Sequence, residues 1–527
     1  MEQLNNPLPL QEEKNPAAEA VILKKESPLL LQVRQNFGLY GAISLTFGGA
    51  FALLFYKAWI GLNVLLYAAI IVGLLIFVMT KLTSKIKSGT KLYFTAVILL
   101  GISTMLTSNG IVQFLNIVGI LILLDLSLLH QFYEVGRWDF AKHLIKMFGM
   151  VFSSIACIWM PFVDSINYFK KTKVLKNDKV RNITIGIIIA IPILFIITAL
   201  LSGADILFGS VTENIYNTVF SADIFWIITM ILFGLLACYC ILCASVSKVR
   251  IEDVKSYQKA DATIAATVMT LLCLVYACFC VLQVIYLFAG GLFTLPESYT
   301  FAEYARRGFF ELMWVTAINI GLMILCRSLF KESKYLSLLV VIMTICTGIM
   351  IASATYRMIL YISVYHLTFL RLFVLMILLI EVFVLAGVII SEYKKNFPLF
   401  TYSVAVVTAC YIIFSLGKPD LWIAAYLVDQ KENLTVDDLF YVTSDLSLDA
   451  AGVVLPLIED EKRWNNEGEK LDDVTAYESD RIYNSSYEYM IKNYYARIKK
   501  ANQGADIREY NYSNSKANEL VKEYPMK

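Results

Sequence analysis

Long apolar runs alternate with short polar connections along most of the chain. Runs long enough to cross a bilayer as helices, about 20 residues each, fall at 36–56, 60–80, 92–108, 111–130, 182–201, 224–246, 263–288, 308–326, 335–356, 370–390 and 398–416. Backbone groups in hydrocarbon need internal partners, so such runs are helical. The pattern predicts an all-α polytopic transmembrane helical bundle of 11 spans. One further stretch, "LIKMFGMVFSSIACIWMPFVD" at 144–164, is long enough to cross. It is expected instead as an interfacial or re-entrant helix, with Trp138 and Trp159 near the headgroups.

The connections sort by charge. Lys81, Lys85, Lys87 and Lys91 surround one; Lys170, Lys171, Lys173, Lys176, Lys179 and Arg181 crowd another. Arg327, Lys331 and Lys334, and then Lys394 and Lys395, mark two more. Lys248, Arg250, Lys255 and Lys259 mark a further one at 247–262, while "SNG" at 108–110 and residues 202–222 carry no Lys or Arg and 289–307, expected outside, holds Arg306 and Arg307. Positive loops stay in the cytoplasm, so the N-terminus is expected inside and the C-terminus outside. A crossing at 144–164 would invert every later loop. The expected parts are a cytoplasmic segment 1–35, a transmembrane domain 36–416 with a cytoplasmic connection at 131–181, and an extracytoplasmic helical domain 417–527. In that last part, 437–458, 486–500 and 505–524 show helical spacing, and 459–475 is acidic and expected as a loop.

Composition agrees. The chain is 58% hydrophobic and 17% charged, against about 25% charged in a soluble domain. Its formal net charge of +2 hides an asymmetry: residues 417–527 hold 14 Lys+Arg and 21 Asp+Glu. A basic membrane part and an acidic tail are expected on different sides. The ten cysteines all lie between Cys157 and Cys410. They read as buried thiols behaving as small hydrophobes. No cleavable signal is visible at the N-terminus.

No phosphate-binding loop, zinc-protease helix, nucleophile elbow or dinucleotide fingerprint is present. No cofactor, metal or nucleic-acid partner is expected. The candidate chemistry lies in charges near or inside the spans. "YARRGFFEL" at 304–312 places Arg306, Arg307 and Glu311 where the chain enters a span, with Asn319 expected further along the same stripe. "YRMILYISVYHLTFLR" at 356–371 sets Arg357 and Arg371 around Tyr361, Tyr365 and His366. By the threading above, the four arginines meet at the outer face. There they dock the acidic tail, or bind lipid phosphate or another anionic ligand. Asp125 and Glu381 lie deeper, where an ionisable group costs about 2.5–3.5 kcal/mol. Each is either a proton or cation site or half of an interhelical hydrogen bond to Gln113, Asn116 or Asn319.

Further landmarks follow in order: "LLSGADILF" (200–208), "LQVIYLFAGG" (282–291), "FAEYARRGFFEL" (301–312), "KPDLWIAAYLV" (418–428), "DLFYVTSDLSLDAA" (438–451) and "DIREYNYSNSKANELV" (506–521). Over residues 180–525 the chain resembles bacterial multipass membrane proteins of domain-of-unknown-function family 4173, close to family 4153. The arginine–glycine–phenylalanine segment is the most specific part of the likeness. The resemblance implies a bacterial-type plasma-membrane protein and implies no activity.

The residues fit a non-enzymatic sensor or accessory subunit, whose outer arginines engage the acidic domain or an anionic ligand. The alternative is a transporter with Asp125, Glu311 and Glu381 lining a route. A membrane enzyme acting on lipid or cell-wall precursors is a third class, without a motif to carry it.

Overall fold

The computed structural model describes residues 27–171, 223–247, 260–288, 308–394, 396–430, 436–459, 476–504 and 506–525, with scattered positions between 186 and 211. The apolar run at 182–201 therefore lies largely outside the described residues, as do Arg306, Arg307 and the acidic stretch 460–475.

The described chain is all-α. After the short helix α1 (Pro28–Gln35) come α2 (Phe37–Phe55), α3 (Leu62–Thr83), α4 (Ser88–Leu106) and α5 (Gly110–Phe132). A bent pair follows, α6 (Phe140–Ala156) and α7 (Met160–Lys171), then α8 (Asp223–Val246) and α9 (Ala262–Phe288). The membrane part closes with α10 (Phe309–Leu329), α11 (Lys334–Tyr365), α12 (Phe369–Tyr393) and α13 (Leu399–Leu416). Ten of these helices are long and apolar enough to span a bilayer among the described residues. They match ten of the runs read from the pattern. One end differs from expectation: α11 continues to Tyr365, because its last turns still bury Met358 and Ile362.

The spans build two cores. Helices α1–α6 and α8 share one, around Tyr40, Met79, Val97, Leu129, Met150 and Tyr239. Helices α9–α12 share the other, around Met269, Met323, Met343 and Leu378. Helix α13 joins them, with Phe400 in the first and Leu399 in the second. Between α2 and α8 the backbones touch. A Cβ on Gly48 would lie 2.2 Å from the Ile231 carbonyl oxygen, and one on Gly234 would lie 2.6 Å from the Gly48 Cα. Small residues allow this approach, which in lipid must rest on close van der Waals packing.

Contacts between helix ends fall into two sets. At the lysine-rich, basic end, Ser27 Oγ donates to the Val246 carbonyl at 2.5 Å and Lys87 Nζ to the His130 carbonyl at 2.8 Å. There too Arg327 pairs with Glu392 at 3.2 Å. At the opposite, distal end, Lys57 pairs with Asp223 at 2.5 Å. The connections 56–61, 107–109 and 366–368 are at this end.

The bent pair α6–α7 turns by 51°. His143 near its start stacks on Phe400 at 4.2 Å, and Tyr168 near its finish meets Phe37 at 5.8 Å. Phe400 and Phe37 begin α13 and α2. Those helices start at the same end, since α13 runs alongside α4 with Ser103 and Ser415 in contact at 2.5 Å. Asp164, 3% exposed, accepts from Arg34 Nε at 2.9 Å and the Tyr239 hydroxyl at 2.9 Å. Both ends of the pair thus meet the basic end.

Beyond α13 the chain forms a third core. It is built by α14 (Pro419–Gln430), α15 (Val436–Phe440), a π-helical turn at Tyr441–Asp445 and a 3-10 turn at Leu448–Ala450. Helices α16 (Ala451–Glu459), α17 (Ala476–Asn502) and α18 (Tyr512–Glu523) complete it. Tyr494 and Ile498 of the tyrosine-rich helix are buried in it, and Leu367, Phe369 and Leu372 of the membrane part pack against it.

Candidate functional sites

The arginines are placed first by the backbone. Arg371 lies in the first turn of α12, beside the last turn of α11. Its Nη1 donates to the Tyr365 carbonyl at 2.5 Å and also to the His366 carbonyl. A helix end leaves carbonyls without partners and carries partial negative charge, so the guanidinium completes the α11 terminus. It also lies 4.2 Å above the Tyr361 ring, a cation–π contact, and the Tyr361 and Tyr365 rings are 5.0 Å apart. Arg357, 8% exposed, donates through Nη2 to Gln283 Oε1 at 3.1 Å. Gln283 Oε1 also accepts from Ser353 Oγ at 2.6 Å.

Gly308 explains part of the segment that stood out in the sequence. Its φ is +100°, and Arg357 Nη1 lies 2.9 Å from where a Cβ would be. Only glycine satisfies both the backbone and the guanidinium there. Arg357 and Arg371 share the distal end of α11. Among the described residues, Arg357 meets a carboxamide and Arg371 meets helix-end carbonyls; the acidic stretch 460–475, the expected counter-charge, lies outside the described residues.

Glu311 is exposed and Asn319 is fully buried, so the expected polar stripe does not hold. Steps of four residues drift about 40° around a helix of 3.6 residues per turn, which carries Asn319 off the face of Glu311. Asn319 Nδ2 donates to Thr347 Oγ1 at 3.2 Å. Glu381, 6% exposed, has Thr316 Oγ1 2.7 Å from its Oε2. The partner is thus a threonine rather than Gln113, Asn116 or Asn319. Gln113 instead caps α4 carbonyls, donating to Thr107 O at 2.9 Å, and Asn116 Oδ1 accepts from Ser415 Oγ at 2.8 Å. Asp125 belongs to the first core's helices and its Oδ2 is buried without a hydrogen-bond partner among the described residues. Asp125 and Glu381 are therefore in different halves of the bundle. The ten cysteines are free thiols.

The densest polar site was not read from the sequence. It joins connection 107–109 to the C-terminal domain. Asp449 accepts from Thr107 Oγ1 at 2.5 Å, from the Ser108 amide at 2.8 Å and from Ser108 Oγ at 3.1 Å. Asp420 Oδ2 accepts from Asn109 Nδ2 at 2.8 Å and from the Ser447 amide at 2.9 Å. Asn511 Nδ2 donates to the Thr107 carbonyl at 2.6 Å, and Ser513 Oγ to Leu106 O at 2.8 Å. Lys418 Nζ donates to Ser513 Oγ at 2.9 Å and lies 4.7 Å from the Tyr512 ring. Burial pushes the Asp420 carboxyl above its ordinary range, against the hydrogen bonds from Ser447 and Asn109 that lower it. Burial likewise holds the Lys418 ammonium below its ordinary range, while Asp449 raises it. Asn109 also caps α5, accepting from the Val112 amide at 3.0 Å. That N-cap and the proline opening α14 were the available local signals; the pairing across 342 residues had none.

Residues 94–457 match the family model described as Domain of unknown function (DUF4153). The chain belongs to the DUF4153 family. Neither a curated protein nor a solved structure matches it. The DUF4153 region runs from within α4 to within α16, so it contains Thr107, Asn109, Asp420 and Asp449, and also Arg357, Arg371 and Glu381. It stops short of Asn511 and Ser513. The ten helices long and apolar enough to span a bilayer among the described residues make this an integral multi-pass membrane protein.

Proposed function

We propose that this DUF4153 protein is a non-enzymatic sensor or accessory subunit of a bacterial plasma membrane. The C-terminal domain lies outside and is the receiving element; the helical bundle responds. The supporting observation is how the domain is attached. Asp420, Asp449 and Asn511 hold it to connection 107–109 through buried side chains. Arg508 holds the end of α2 through the Leu53 carbonyl at 2.6 Å and connection 56–61 through the Tyr56 carbonyl at 3.3 Å, and the Tyr441 hydroxyl accepts from the Phe369 amide at 3.1 Å beside connection 366–368. A displacement of the domain therefore moves three helix hairpins together. Separate placement of Asp125 and Glu381 weighs against a single transport route through both. Arg357 and Arg371, at the same end, are the groups whose chemistry suits an anionic ligand or lipid headgroup.

The test uses Asp449→Ala. Thr107 Oγ1 and the Ser108 amide lose their acceptor, and each unsatisfied buried group costs about 1–3 kcal/mol. Hydrogen exchange on the purified full chain is expected to rise in α16 and α18. In a coupled sensor it also changes at the basic-end connections 84–87 and 330–333. Asp445→Ala, at an exposed position, changes neither. If Asp449→Ala loosens the domain and leaves the basic end as it was, the domain is a passive cap and the sensor reading fails.

A further inference from the structure

The polar groups between α10, α11 and α12 are one hydrogen short. Thr316 Oγ1 stands 2.7 Å from Glu381 Oε2 and 2.8 Å from the Met313 carbonyl oxygen. A hydroxyl has one hydrogen to donate. A backbone carbonyl and an ionised carboxylate both only accept. With Glu381 ionised, one of these two short contacts would have no hydrogen in it. One turn further along α10, Asn319 Nδ2 donates to Thr347 Oγ1, whose own hydrogen goes to the Met343 carbonyl at 2.7 Å. Glu381 Oε1 and Asn319 Oδ1 are both buried acceptors with no hydrogen-bond donor among the described residues. Among the described residues, acceptors therefore exceed hydrogens at this junction, and its side chains are buried.

Among the described residues, the helices packed around it bring no cation to the same level. Helix α10 carries Glu311 and Arg327, α11 carries Lys334 and Arg357, and α12 carries Arg371 and Glu392 besides Glu381. Helices α9 and α13 carry no charged residue, and α14 carries Asp420 and Asp429. Arg327 is paired with Glu392. Arg327, Arg357 and Arg371 are ten or eleven residues along their helices from Thr316, Thr347 and Glu381, about 15 Å at 1.5 Å per residue. Lys142, His143 and Lys146 of α6 enter from the basic end beside Phe400. Cys346, Tyr402 and Cys410 on the facing segments are not cationic side chains.

We propose that Glu381 is a proton-binding site, held as a neutral carboxylic acid at the junction of α10, α11 and α12. The proton on Oε2 donates to Thr316 Oγ1, which passes its own hydrogen to the Met313 carbonyl. Both short contacts then contain a hydrogen. The proton comes from water and returns to water, and no other bond forms or breaks. Its loss would set a bare charge against the Thr316 hydroxyl in a closed apolar core, so protonation couples to the packing of α12 on α10. This inference is independent of the sensor reading, which rests on the distal-end junction.

Infrared difference spectroscopy of the purified full chain in lipid nanodiscs at pH 7 tests it. Wild type is expected to show the carbonyl band of a protonated carboxyl, shifted in heavy water. The band should vanish in Glu381→Gln and persist in Asp125→Asn. Thr316→Val, which removes the hydroxyl partner and keeps the acid, should retain the band and shift it. Identical wild-type and Glu381→Gln spectra would overturn the proposal. So would a sodium-dependent rise in wild-type melting temperature that Glu381→Gln abolishes, because the occupant would then be an alkali ion.

Discussion

At the scale of single residues, Asp420 is the most exacting position at the distal junction. It is 1% exposed, with one carboxylate oxygen bonded twice and the other, Oδ1, buried without a hydrogen-bond partner among the described residues. Its folded carboxyl titrates above the unfolded value because burial disfavours the charge. The sign follows from linkage: the folded state binds the proton more tightly, so this residue's contribution is fullest below the ordinary aspartate value of about 3.9 and declines as pH rises through the raised one. Asp420→Asn should flatten that slope in thermal unfolding followed from mildly acidic to neutral pH, while leaving the Ser447 and Asn109 donors an acceptor. An unchanged slope would show that Asp420 does not titrate in this way. None of this was visible in the linear sequence. Asp420 stood in the sequence only as part of the landmark "KPDLWIAAYLV", because its burial depends on Asn109, 311 residues away.

At the scale of elements, the apolar pattern was sufficient to place the spans, and their ends agree with it to within a few residues at most positions. The exception is instructive. Helix α11 continues past Arg357 because arginine and tyrosine do not break a helix; they only lower its hydropathy, and the helix ends where His366 turns to a φ of +65°. Helix pairing was less legible. The contact of α2 with α8 depends on Gly48 meeting Gly234, and two isolated glycines in apolar runs give no sign that they face each other. Gly48→Leu should separate these helices, because its side chain would start inside the Ile231 backbone. Overpacking of this kind costs roughly 1–3 kcal/mol or more. A drop in melting temperature is expected, larger than for Gly73→Leu, where a Cβ would meet nothing within 4 Å. Equal effects would mean that the close approach contributes nothing.

At the scale of the whole molecule, the charge pattern of the connections and the contacts between helix ends describe the same arrangement. Lysine-rich connections meet one another, and the C-terminal domain meets the connections between them. Charge alone could sort the loops but could not say what the domain rests on. It suggested an arginine cluster with acidic counter-ions. In the structure the domain is joined through Asp420, Asp449, Asn511 and Arg508, while Arg371 closes the end of α11. The central claim is that the domain and the connections 56–61, 107–109 and 366–368 lie on one side of the membrane, opposite the lysine-rich connections. Impermeant thiol labelling in intact cells tests this most directly, read above the native-cysteine background. Trp59→Cys and Ile507→Cys, at positions 82% and 78% exposed, should both react without permeabilisation. Lys85→Cys should react only after it. Labelling of Ile507→Cys together with Lys85→Cys, and apart from Trp59→Cys, would contradict the account.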